Sequence, residues 1–97
     1  MLRRADVLAY LRKSKKDFQQ KYFVDKVGVF GSIARDEAID ESDIDIVVTM
    51  KKPNLLYLSS IREEIKEHFQ ANVDIVALWD KMNPRLYQRI SKESIYV

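Results

Sequence analysis

The chain has no cysteine, one histidine and no long uncharged apolar run. Without cysteine there are no disulfides, no thiolate catalysis and no Cys-based zinc site. His68 would have to be the base of any Ser-His-Asp arrangement, and nothing around it points to that role. Arg3, Arg4 and Asp6 fall within the first turns, so neither a signal peptide nor a membrane span is expected, and a cytoplasmic location is the default. Low-complexity segments and internal repeats are also missing. A chain of 97 residues that is 46% hydrophobic and 33% charged reads as one folded domain, residues 1–97. It is too short for a second, acceptor-binding domain, so a large acceptor must be held mostly by another molecule.

What is present is unevenly placed. The net charge is only +2, but Arg3, Arg4, Arg12, Lys13, Lys15, Lys16 and Lys21 crowd the first segment. Asp36, Glu37, Asp40, Glu41, Asp43 and Asp45 crowd the next. A basic helix attracts nucleic acid or nucleotide phosphates, although lysine-rich outer faces are most often simply solvated.

Hydrophobic periodicity divides the chain into alternating elements. From Arg4 to Tyr22, residues Val7, Leu8, Leu11, Phe18 and Tyr22 recur at mostly helical spacing. Lys26 to Phe30 is a short apolar strand, broken by Gly31-Ser32, and Ser32 is placed to cap a short helix over Ala34 to Ala38, with Arg35 in its first turn. Asp43 to Met50 is a second strand, with Ile44, Ile46 and Val48 on one face and Asp43, Asp45 and Val47 on the other. Pro53-Asn54 opens a helix running to Gln70, Asn72 to Leu78 is a third strand, and Asn83-Pro84 caps a last helix. The expected class is α/β (α+β), in the order α-β-α-β-α-β-α, with a three-stranded mixed sheet flanked by helices.

Connection lengths set the topology. The helical crossover between the second and third strands is long enough for a right-handed βαβ unit, which makes those strands parallel neighbours with their beginnings at one edge. The short link from the first strand favours antiparallel pairing with the second, so Gly31, Ser32, Asp43, Asp45 and Asp74 converge at that edge.

Asp43 and Asp45 project from one face of a strand, their Cα atoms roughly 6 to 7 Å apart. Like charges this close call for a cation between them. With Asp74 they form an oxygen-rich set suited to Mg²⁺, and two such ions about 4 Å apart stabilise the attacking and leaving oxygens of an in-line phosphoryl displacement. The Gly31-Ser32 turn offers close backbone approach, N–H groups and a hydroxyl to phosphate; Arg35 and Ser42 are further candidate donors.

"GSIARDEAIDESDIDIVV" resembles the Gly-Ser and Asp-x-Asp signature of the DNA polymerase beta-like nucleotidyltransferase superfamily, and specifically its minimal nucleotidyltransferases, typically paired with HEPN-domain proteins. The likeness spans nearly the whole chain, and "NVDIVAL" supplies the third carboxylate. It implies transfer of AMP from ATP to an acceptor hydroxyl, with Asp43 and Asp45 binding two Mg²⁺ ions. Asp74 would bind the catalytic ion and help activate the acceptor, while Gly31 and Ser32 hold the triphosphate. The resemblance further implies an antitoxin role: some members of this group neutralise a HEPN toxin by adenylylating one of its tyrosines, chemistry that needs no acceptor domain. Many of them carry glycine where this chain has Asp36, which brings negative charge towards the triphosphate.

Two other readings stand beside this one. A non-enzymatic antitoxin would mask its HEPN toxin by binding alone; transfer to a small molecule or a nucleic acid would need an acceptor surface that the length does not supply. Template-directed polymerisation lacks anything to grip a duplex, and direct nucleic-acid binding is not expected. A lightly covered sheet face favours a homo- or hetero-oligomer. His68 reads as a boundary residue rather than a ligand, Trp79 and Tyr87 as core filling rather than rings stacked on adenine or a partner, and the C-terminal "SKESIYV" as a frayed end rather than a partner-binding tail.

Overall fold

In a computed structural model, residues 3–38 and 43–97 are described. Asp40, Glu41 and the candidate donor Ser42 lie outside these residues. The elements are α1 (Arg4–Tyr22), β1 (Lys26–Phe30), α2 (Gly31–Ala34), β2 (Ile44–Thr49), α3 (Leu55–Phe69), β3 (Val73–Leu78), α4 (Pro84–Glu93) and β4 (Ile95–Tyr96).

The sheet has four strands in the order β3-β2-β1-β4. As the connections require, β1 runs antiparallel to β2, with Val29 opposite Ile46 and Phe30 opposite Asp45. β2 and β3 are parallel, with Asp45 beside Asp74. The fourth strand corrects the expectation of a frayed C-terminus. Tyr96 pairs with Gly28 and Ile95 with Val29, the Val97 N–H donates to the Val27 carbonyl at 3.0 Å, and Lys15 Nζ donates to the Val97 carbonyl at 2.9 Å. Gly28 makes room for this pairing, since a Cβ there would lie 2.2 Å from the Ile95 carbonyl oxygen.

One face of the sheet carries the core. Val27, Val29, Ile44, Ile46, Val48 and Val73 pack beneath Val7, Leu11 and Phe18 of α1 and Ile61 and Ile65 of α3. The period of two along the strands meets the helical stripes foreseen for both helices. The opposite face is covered only in part, where Ile90 of α4 closes with Val47 and Leu78. The far end of that face, beyond Val47 towards the start of β2, holds Asp45.

Both long connections start as their sequences suggest. Asn54 Oδ1 accepts from the N–H groups of Leu56 and Tyr57 at 3.0 and 3.1 Å, and Asn83 Oδ1 accepts from those of Arg85 and Leu86 at 2.9 and 3.2 Å, with Pro84 in the first turn. Tyr87 is not core filling: it is exposed on α4, and Trp79 is half-buried. His68 is exposed and stacks on Tyr10 at 4.2 Å between ring centroids, consistent with a boundary residue.

The short helix differs most from expectation. It occupies Gly31–Ala34, not Ala34 to Ala38, and Ser32 lies inside it with no capping bond made by a side chain. The reason is conformational. Gly31, at φ 68°, lets the chain turn into a helix directly from the last residue of β1. Asp36, at φ 60°, ends it: the Glu37 N–H donates to the Ser32 carbonyl and the Asp36 N–H to the Ile33 carbonyl, at 2.9 and 3.1 Å. This paired closure puts a left-handed residue just past the helix, the position glycine most often fills.

Candidate functional site

Three strands deliver one row of side chains to the open end of the second face. Phe30, Asp45 and Asp74 are register partners across β1, β2 and β3, so they point to the same side. Asp43 precedes β2 and is exposed; Asp45 is half-buried and Asp74 exposed. The start of β2 is pinned to its neighbour by the Ile44 N–H, which donates to the Asn72 carbonyl at 2.9 Å.

The Gly-Ser turn meets this row directly. A Cβ on Gly31 would lie 2.2 Å from Asp45 Oδ2, so the glycine backbone and the carboxylate occupy adjoining space that no larger residue would leave open. Gly31 is thus required twice, by its positive φ and by this approach. The exit of α2 is held from afar, because Arg4 Nη1 donates to the Ala34 carbonyl at 3.0 Å. One arginine of the basic first helix therefore braces the turn.

Electrostatics mark the same spot. Burial pushes the Asp45 carboxyl above its ordinary range, and the negative charges of Asp74 and Asp43 push it further, with Arg35 opposing them. Carboxylates set this close repel one another. A divalent cation relieves that repulsion, and an open arrangement of exposed carboxylates suits Mg²⁺, which keeps water and phosphate oxygens among its ligands. Among the described residues no group of three or more His, Asp or Glu side chains forms a ready-made cage. Asp43, Asp45 and Asp74 are therefore not gathered into one three-carboxylate ligand set; the structure brings Asp45 and Asp74 together as register partners, with Asp43 exposed ahead of β2.

Arg35 follows α2 and sits near the row, but its guanidinium is already engaged. Nε donates to Glu37 Oε2 at 3.2 Å and Nη1 to Glu93 Oε1 at 2.5 Å. Glu93, the last residue of α4, also adds to the negative potential at Asp45. Sequence reading had no means of finding Glu93 or Arg4: each reaches the turn from a distant element, and no local spacing signals it.

Asp36 lies beside this site in sequence but not in role. Its side chain is exposed, and its backbone provides the left-handed closure of α2. An aspartate tolerates that conformation better than most residues, which accounts for a non-glycine here.

The chain as a whole is similar to known proteins. Residues 11–97 match the nucleotidyltransferase domain family. The protein adenylyltransferase MntA of Thermococcus cleftensis is 30% identical, over 100% of this chain and 98% of its own. A Methanocaldococcus jannaschii protein given the name of a protein adenylyltransferase is 32% identical over 96% of each. Among solved structures, one described as a minimal nucleotidyltransferase superposes with a TM-score of 0.68 at 29% identity, covering 91% of this chain and 93% of that one. A toxin-antitoxin crystal structure with AMP-PNP shares the fold, with a TM-score of 0.69 at 19% identity over 98% of this chain and 72% of that one. With the match running from α1 to the C-terminal strand, the chain belongs to the nucleotidyltransferase family, among its minimal members.

Proposed function

We propose that this nucleotidyltransferase uses Mg²⁺ and ATP to transfer AMP to a hydroxyl of a partner protein, a tyrosine of a HEPN-domain toxin, and so serves as the antitoxin of that pair. The observation that carries the reading is the Asp45–Asp74 register pair set against the Gly31 backbone, which brings carboxylates and a glycine turn to one place. Relatives named for protein adenylylation, and a neighbouring fold crystallised in a toxin-antitoxin complex with an ATP analogue, support the choice of nucleotide and acceptor.

In this reading Asp43, Asp45 and Asp74 would hold two Mg²⁺ ions, which when bound would supply positive charge to the phosphates and to the entering and leaving oxygens. The Gly31 backbone and the Ser32 hydroxyl hold the triphosphate, with donors from Arg35 and Ser42. The acceptor oxygen forms a bond to the α-phosphorus as the bond from that phosphorus to the bridging oxygen breaks. Pyrophosphate leaves, and Asp74 receives the hydroxyl proton.

The test is intact-mass measurement of the toxin encoded beside this protein after incubation with ATP and Mg²⁺. An AMP-sized gain is expected, lost with chelator and with Asp45→Asn. Neutralisation of the toxin with no gain in mass would instead support masking by binding alone.

A further inference from the structure

The C-terminal end of α4, though it adds no ligand to the carboxylate row, reaches the turn that precedes it. Arg35 bridges two carboxylates of unequal weight. Glu37 is two residues away and its side chain is 66% exposed, so it is a local, well-solvated partner. Glu93 comes from 58 residues along the chain, is 30% exposed and makes the shorter contact at 2.5 Å. Glu93 is thus the partner that ties Arg35 to a distant element, at the shorter distance and with less solvent around it. Behind it, the Ser94 N–H and hydroxyl both donate to the Ile90 carbonyl, at 3.0 and 2.6 Å, and the next residue enters β4. Glu93 is therefore anchored on a helix end and a paired strand, while Arg35 follows a helix of only four residues.

We propose that Glu93 is a positioning residue for the nucleotide: its carboxylate fixes the Arg35 guanidinium beside the Gly31-Ser32 turn, ready to meet the triphosphate. A guanidinium carries five N–H donors, of which Glu37 engages that on Nε and Glu93 one on Nη1, so Arg35 can keep Glu93 and still donate to a phosphate oxygen. Holding a long side chain in advance removes the entropy loss that binding would otherwise incur. The role rests on the nucleotidyl-transfer reading above and adds to it a contribution from the C-terminal helix.

The experiment is steady-state AMP transfer with ATP varied, then with the acceptor protein varied. Glu93→Ala raises KM for ATP by roughly three- to tenfold, with KM for the acceptor near that of the parent. Glu93→Gln, whose amide oxygen still accepts from Arg35, recovers most of the loss and guards against a folding artefact. In an Arg35→Ala background Glu93→Ala adds little, because both changes remove one interaction. A lower or unchanged KM for ATP in Glu93→Ala overturns the proposal, as does a full effect in the Arg35→Ala background. If the parent protein itself transfers no AMP, the functional reading fails first; if it transfers AMP and Glu93→Ala matches it, only the role of Glu93 fails.

Discussion

At the scale of single residues, the site depends on a glycine that cannot be replaced and a carboxylate that is held unwillingly. Gly31→Ala asks a Cβ to occupy space 2.2 Å from Asp45 Oδ2 and asks alanine to take φ 68°. The conformational part alone costs about 1 to 2 kcal/mol, and displacement of Asp45 adds to it. The expected result is a lower melting temperature together with loss of AMP transfer; a variant that keeps full transfer would show that the contact is not needed. Asp45→Asn separates the two effects. Because the folded state raises the Asp45 carboxyl above its ordinary 3.8, the proton is favoured in the fold. That contribution to stability is present below the ordinary value and is lost as pH rises through the raised one. Asn stays neutral, so without divalent cation the variant melts at least as high as the parent at neutral pH, while transfer is abolished. Adding Mg²⁺ raises the melting temperature of the parent and not of the variant, by thermal melts with and without EDTA.

At the scale of elements, the turn after β1 explains both what could be read in advance and what could not. Asp36→Gly replaces a residue at φ 60° just past α2 by the one that closure favours. The gain in the fold is partly offset by greater freedom in the unfolded chain, leaving a net increase of up to about 1 kcal/mol. Since the Asp36 side chain is exposed, KM for ATP changes by less than about threefold, the solvent screening much of its charge. A larger fall in KM would mean that this carboxylate does oppose the triphosphate. The alternation of Ile44, Ile46 and Val48 with Asp45 and Val47, and the Asn54 and Asn83 caps, were legible because each is a local pattern with one physical meaning. The convergence of Gly31, Asp45 and Asp74 was legible because connection length dictates strand direction. The bounds of α2 were not, since Ser32 looks like a cap until the positive φ of Gly31 starts the helix at Gly31, one residue before Ser32. β4 was not either: two residues carry no period, and they pair only because α4 returns the chain to the free edge of β1. Gly28→Ala tests that edge. Its Cβ would meet the Ile95 carbonyl, so the variant loses about 1 to 3 kcal/mol by chemical denaturation, with unchanged stability counting against close packing of β4.

At the scale of the whole molecule, the sheet divides labour between its faces. α1 and α3 together seal one face and supply most of the core, which frees the end of the other for charged groups. The seal has a polar clasp of its own. Tyr22 Oη donates to Glu64 Oε2 at 2.6 Å, joining α1 to α3, and this bond with partial burial pushes the Tyr22 phenol up to about 12 from its ordinary 10.0. The neutral phenol is the form the fold prefers. Its contribution is therefore complete below pH 10 and is lost as pH rises through about 12, a window far from that of Asp45. Tyr22→Phe keeps the ring packing and removes the donor, so at pH 7 it loses about 1 kcal/mol, the range for one hydrogen bond to a charged group partly open to solvent. Above pH 10 the parent forfeits this contribution as its unfolded chain ionises first, and the two stability curves meet between pH 10 and pH 12. Urea denaturation of both proteins between pH 7 and pH 12 measures this. Curves that run parallel across the range would place the alkaline weakness of the fold elsewhere than the α1–α3 clasp.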